Sequence, residues 1–434
     1  MSLRPSYRNI WGITYPIIFA GVGETVVDIT DAIFLARYGV TELAAVGLAD
    51  AIFGVALFLS LGLVDGIQIV IGRRAGQDQD RAIGRAFNQG VYLLIIASIT
   101  MILLLLFVVP LVTVAVFASV DIHDAVQSYL RIAAYALLFQ SFNLAYSVFY
   151  TGISRTRVLI GATLVLAITN ILLDYLLIFG QLGFPELGIE GAAYATLAAE
   201  IAAFLFLTRD VIVKGYTRQY GLLRFARWDN SYAARLIRIS TPVSLEALVE
   251  TLKWFLFFLI IEQMGEISLA SATIIFSCYA LFLIPIDSFS ETLCSMVSNL
   301  IGQRDLPRLR LLLRRVMQLS YLVVLPALLI ALVMPELVLA IFTPDEPVID
   351  ASINSLLVVI LVTSKHPALL VLALFKFLLV VGYYMHLKYE KRVLTRLFGG
   401  GFGIKTEAEA AVFGGVAGEQ YDVCHHLACD TSDN

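Results

Sequence analysis

Charge is scarce in this chain. Only 15% of its 434 residues are Asp, Glu, Lys or Arg, and 59% are hydrophobic; a soluble domain carries roughly 25% charged residues. That balance excludes an ordinary soluble domain and points to a membrane protein. The formal net charge of -4 specifies no partner. No basic stripe or nucleic-acid motif appears, so nucleic acid is excluded as a partner. Cysteine is sparse too. Cys278 and Cys294 lie in an apolar run, Cys424 and Cys429 near the carboxyl end, and together they make no disulfide framework. The cluster Cys424, His425, His426 and Cys429 lacks a standard zinc spacing, so no metal or other cofactor is expected. Scattered Ser and His form no nucleophile–base constellation, which argues against an enzyme. The amino end, "MSLRPSYRNIWGITYPIIFAG", has no small-residue cleavage site and reads as the lead into a first spanning helix.

What is abundant is apolar sequence in long runs. A spanning helix needs about 20 mostly apolar residues. The runs fall at 10–38, 43–72, 88–117, 126–153, 158–180, 188–213, 236–264, 267–301 and 315–342, with two further candidates at 349–364 and 367–387. Loop charge orients them. Arg73, Arg74, Arg81 and Arg85 follow the second run, Arg155 and Arg157 the fourth, seven Lys and Arg from Arg209 to Arg238 the sixth, and Arg304 to Arg314 the eighth. The intervening short loops, such as "VTE" and "QLGFPEL", hold no Lys or Arg. Positive loops stay cytoplasmic, so the amino terminus is expected in the cytoplasm and the first nine runs alternate.

The chain also repeats itself. Pro16 and Pro242, Glu24 and Glu250, Gly39 and Gly265, Gly76 and Gly302 are paired at one constant offset, and Asp65 aligns with Glu291 at the same offset. Six spans separate the copies, so both begin on the same side of the membrane. The expected fold is therefore an all-α polytopic membrane protein built from two parallel-repeat helix bundles, a common transporter plan. The implied organisation is an amino-terminal six-helix lobe over 1–213, a cytoplasmic linker over 214–235 and a second, incomplete lobe over 236–364.

Carboxylates inside spans are costly and face protein or a watery cavity. Glu24, Asp28, Asp31, Asp65, Asp174, Glu250 and Glu291 qualify by position. Asn170 and Asp174, one helical turn apart in "TNILLDYLLIFG", share one helix face. For Asp31 and Asp174 a titrating role stands beside a purely structural hydrogen-bonding role. Glu24 and Glu250 recur in both halves, so a shared packing role competes. Gln140 and Asn143 either line a cavity or bond a neighbouring helix, and Tyr146 and Tyr150 read as packing aromatics. Pro16 and Pro242 read as fixed bends near the helix starts, with a hinge as the other reading.

Five stretches carry a family resemblance: "ITYPIIF…TDAIFLARYGVTELAAVGLAD", "GRRAGQDQD", "YTGISRTRV", "TNILLDYLLIFGQLGFPELGIEGAAYAT" and "STPVSLEALVETLKWF". Over residues 8–360 the chain resembles the MATE (multidrug and toxic compound extrusion) transporters, most of all their DinF-like branch. That branch is suggested by Asp31 ahead of Gly39 and by Asp174 in the fifth span. The resemblance implies a monomeric secondary antiporter in a bacterial or archaeal plasma membrane, exporting small amphipathic organic cations in exchange for protons. It implies a proton and substrate site at Asp31, Asn143, Asn170 and Asp174. Glu250 matches an acid used for cation coupling in another branch, but the tenth-helix acid that accompanies it there has no match, which disfavours sodium. A flippase for lipid-linked precursors, from the same superfamily, is the alternative; it would need a cationic cavity for pyrophosphate. A non-transporting fusion or fragment is a third reading.

The carboxyl end departs from this pattern. "HPALLVLALFKFLLVVGYYMHLKYEKR", from His366, resembles the last helix of bacterial cytochrome c oxidase subunit IV. An eleventh span there would deliver Lys388, Lys391, Arg392 and Arg396 outside, against the positive-inside rule. Residues 365–398 therefore read as a foreign-looking transmembrane helix and 399–434 as a disordered polar tail. Deleting 399–434 is expected to leave membrane insertion unchanged, since no apolar span is lost; membrane fractionation of the shortened chain checks this.

Overall fold

The computed structural model describes residues 4–339, apart from 117–119, 224–226 and 263–265, and then 349, 352–357 and 360. The stretches 365–398 and 399–434, with the Cys424–Cys429 cluster, lie outside the described residues, as does most of 349–364. Among the described residues the regular structure is entirely helical. By length and composition four of these helices could cross a membrane, or six when two bent pairs each count as one span.

Helix α1 covers Tyr7–Tyr38. Ser6 caps it, its hydroxyl accepting from the Asn9 amide at 3.2 Å. Pro16 sits within it without ending it; lacking an N–H, it leaves the Gly12 carbonyl without its usual donor. Helix α2 follows as Val40–Gly76. The third run is α3 (Asp80–Leu103), a π-helical turn (Leu104–Val108) and α4 (Val109–Val116), the turn lying beside Pro110, which supplies no N–H. The fourth is α5 (Val120–Ala133) and α6 (Ala136–Gly152), bent by 50° between them. Next come α7 (Arg157–Ile178), α8 (Ile189–Val213) and the single turn α9 (Tyr216–Gln219). Helix α10 (Asn230–Glu262) starts ahead of the expected span because an exposed, capped turn extends it. Helices α11 (Glu266–Gly302), α12 (Leu309–Val333) and α13 (Pro335–Leu339) complete the order.

The repeat is visible in the backbone. α2 and α11 are both 37 residues long, and their ends keep the offset seen between the paired prolines and glycines. Each ends in Gly-Gln followed by a residue in the left-handed region, Asp78 at φ 53° and Arg304 at φ 59°. The two helices then meet reciprocally. A Cβ on Gly76 would lie 2.0 Å from the Asn299 carbonyl oxygen, and one on Gly302 would lie 2.2 Å from that of Arg73. Asn299 is the repeat equivalent of Arg73, so a local pseudo-twofold axis runs between α2 and α11. Only glycine allows two backbones this close. Around that seam, Thr14 of α1 and Thr292 of α11 share a hydrogen bond of 2.9 Å, and the Ser295 hydroxyl donates to the Thr151 carbonyl at 2.6 Å. The first lobe has its own aromatic core: Tyr146 and Tyr150 are fully buried among Phe87, Phe149 and Tyr216.

Asp229 fixes the start of α10. Its Oδ1 accepts from the Ser231 hydroxyl at 2.7 Å and from the Ser231 and Tyr232 amides at 3.0 Å, while Oδ2 pairs with Arg85 of α3. These donors, Ser231 and the Tyr232 amide ahead of Arg85, hold its carboxyl down at about 2. A depressed carboxylate adds stability above its unfolded value and loses it as pH falls through the folded one. Asp229→Ala should therefore lower the melting temperature at pH 7, and the gap to the parent should close between about pH 4 and pH 2. Thermal unfolding in detergent across that range checks it.

Candidate functional site

α7 is apolar around most of its circumference, yet it carries Asn170 and Asp174 one turn apart, 1% and 0% exposed. Their face is turned to α1. The two helices approach closely enough that a Cβ on Gly23 would sit 2.3 Å from the Thr163 methyl carbon, a contact only glycine tolerates. This brings Asp31 over the α7 pair. With its amide nitrogen facing the acids, Asn170 donates to Asp31 Oδ1 at 2.9 Å and to Asp174 Oδ2 at 3.1 Å. The two carboxyl groups are also within hydrogen-bonding reach of each other. A hydrogen bond between two carboxyl groups needs a proton on one of them. The remaining oxygen, Asp174 Oδ1, is buried without a partner. Beside the triad, Leu35, Ala45, Ala49, Leu130, Ile178 and Ala192 form an apolar core.

The other carboxylates are arranged differently. Glu24, Asp28 and Asp31 recur at helical spacing along one face of α1. Glu24 and Asp28 are exposed, and so is Asp50 on α2. Glu24 also lies within electrostatic reach of Glu200 on α8 and of Glu291 on α11, in the second lobe. The acids of α1 thus stand within electrostatic reach of both lobes, with Asp31 of the buried triad further along the same helix face.

Asn143 does not join the triad. Its amide donates to Glu200, to the backbone oxygen at 3.0 Å and to Oε2 at 2.6 Å, while its own oxygen is buried and unpaired. Gln140 Oε1 is buried without a partner as well. Glu250 belongs to α10, but its side chain lies outside the described residues. Asp50 and Glu200 belong to the acidic system although the sequence reading passed over them. Each is a lone acid within an apolar run, "GLADAIFG" and "LAAEIAAF", and the rule that singled out Asp31 applies equally to both. Cys278 is buried and Cys294 half-buried, both as free thiols.

Two helix repeats that carry buried acids within long apolar helices are the makings of a multi-pass membrane transporter rather than an enzyme. The MatE family model matches residues 16–176 and 242–381, two blocks that open on the paired prolines Pro16 and Pro242 and so follow the repeat itself. The chain belongs to the MATE transporter family. The second block runs past residue 365, so it overlaps the stretch that resembles the oxidase subunit. Among similar proteins, the probable multidrug resistance protein NorM of Rhizobium meliloti is 26% identical over 263 residues, 59% of this chain and 55% of that protein. The chain thus spans little more than half the length of that relative. The probable multidrug resistance protein YoeA of Bacillus subtilis is 24% identical over 356 residues, 79% of this chain and 75% of that one. Solved structures agree in fold. An outward-facing multidrug resistance MATE family transporter of the MOP superfamily superposes with a TM-score of 0.78 at 21% identity, covering 86% of this chain and 82% of the other. A MOP superfamily transporter from Pyrococcus furiosus, described as having a binding pocket of reverse polarity, superposes at 0.75 with 20% identity, covering 88% and 89%.

Proposed function

We propose that this protein is a secondary active antiporter that exports amphipathic organic cations in exchange for protons, as a monomer with its amino terminus in the cytoplasm. The observation that carries this reading is the Asp31–Asn170–Asp174 triad, two acids and one amide packed so that the acids compete for a proton. Two carboxylates in a poorly hydrated site resist ionising together, through desolvation and mutual repulsion. A proton arriving from outside neutralises the site, whereas a cationic substrate favours the ionised form. Competition between proton and cation for one charge is a minimal basis for antiport, provided that the two helix arrangements bind them with different affinity. The exposed acids Glu24, Asp28 and Asp50 suit an approaching cation. They are the wrong sign for a pyrophosphate-linked lipid, which weighs against the flippase reading. The names of the NorM and YoeA relatives support efflux of foreign compounds. The test is dye efflux from proteoliposomes under an imposed proton or sodium gradient. Efflux driven by the proton gradient alone is expected; efflux driven only by sodium would overturn the coupling ion.

A further inference from the structure

A polar cavity lies at the end of the first lobe away from the triad. It has a volume of about 620 Å³ and is walled by the start of α1, the turn into α7 and the end of α8. Four of its lining residues are cations, Arg8, Arg155, Arg157 and Lys214, and none is Asp or Glu. Lys214 pairs with Asp210 at 3.0 Å, and the Arg155 guanidinium lies over the Tyr216 ring and donates to its hydroxyl. Arg8 and Arg157 are exposed and make no ion pair among the described residues. Ser154 also lines the cavity; its hydroxyl oxygen is shielded from solvent and has no partner, and its backbone is held in the left-handed region at φ 59°.

We infer that this cavity binds a phosphate-bearing anion, either the headgroup phosphate of a membrane lipid or a soluble phosphate. Guanidinium groups match phosphate oxygens in geometry as well as charge. The volume holds a hydrated phosphate, since a water takes up about 30 Å³. The site is distinct from the proton triad: Arg157 opens α7 and Asp174 lies near its far end, a rise of about 25 Å along the helix. It lies at the Arg-rich end of the helices, where basic pockets between helices meet anionic headgroups. Bound there, the anion bridges α1 and α7, the two helices that carry Asp31 and Asp174.

The test is thermal unfolding of the full chain in a neutral detergent, titrated with short-chain phosphatidylglycerol, with inorganic phosphate and with short-chain phosphatidylcholine as the zwitterionic control. Either anionic probe should raise the melting temperature where phosphatidylcholine does not. R8Q/R157Q, which alters two exposed side chains, should raise the half-saturating concentration by about tenfold or more, as expected for two phosphate contacts. The charge-matched R235Q/R238Q, two exposed arginines of α10 that do not line the cavity, should leave it unchanged. A response to phosphatidylglycerol alone identifies a lipid, and a response to inorganic phosphate a soluble ligand. No rise with either probe, or a rise that R8Q/R157Q leaves intact, overturns the site.

Discussion

Asp174→Asn and Asp31→Asn are each expected to abolish proton-driven export while the protein still reaches the membrane and folds. Asn matches Asp in shape but carries no titrating proton. At position 174 its amide can still donate to Asp31, so the variant imitates the site with its proton permanently in place. Asn170 keeps at least one acid to donate to, from 2.9 Å to Asp31 or 3.1 Å to Asp174. The cost of folding is therefore small, because neither buried partner loses every hydrogen bond. What is lost is the ability to alternate between a protonated and an ionised state, and a transporter that cannot alternate cannot couple. Asn170→Ala should weaken export less: it takes a hydrogen bond from each acid but leaves both protonatable groups. Efflux rates at several external pH values separate the cases. The Asn170→Ala variant should keep a pH-dependent rate, whereas the two Asp variants should show none. Parent-like export by both Asp variants under a proton gradient would rule this mechanism out.

Gly302→Val should be strongly damaging at the seam between the lobes. Its Cβ would lie 2.2 Å from the Arg73 carbonyl oxygen, where real Cβ atoms essentially never come within 3.0 Å. The obstacle is backbone, so no rotamer change relieves it, and α2 and α11 must move apart. Overpacking a core costs about 1–3 kcal/mol, and a clash with a carbonyl oxygen belongs at the upper end of that range. Gly76→Val makes the mirror-image insult at the Asn299 carbonyl, so the two variants should resemble each other in effect. Both should lower the melting temperature and lengthen the distance between spin labels placed on the two lobes beside this seam. Transport should fall steeply, since the lobes no longer close against each other there. An unchanged label distance in both variants would show that α2 and α11 do not pack in this way.

Several elements are legible in the amino-acid sequence. The constant offset between paired prolines, acids and glycines implied a duplicated helix bundle; that α2 and α11 are equal in length and end in matching left-handed turns came only with the structure, although the unequal runs 43–72 and 267–301 had suggested otherwise. Helix positions followed from apolar runs, with errors at the ends where charged, capped turns such as the one at Asp229 extend a helix beyond its apolar part. Asp31, Asn170 and Asp174 stood out because a carboxylate or amide within an apolar run needs an explanation. Asn143 also stood out, but its partner could not be read. It belongs to α6 and Glu200 to α8, and no periodicity within one helix says which neighbour it will face.

By itself, then, the sequence determined the class of molecule, the duplication and the faces of individual helices, since all three depend on composition and on the fixed 3.6-residue turn. Only the tertiary structure decided which faces meet. It placed Asn170 between two acids from helices far apart in the chain, gave Asn143 to Glu200, and gathered Arg8 with Arg155 and Arg157 around one cavity. The physical reason is that contacts between helices depend on the depth and spacing of small residues such as Gly23, Gly76 and Gly302, through which one backbone can approach another. That approach is a property of the helix pair, set by both surfaces together.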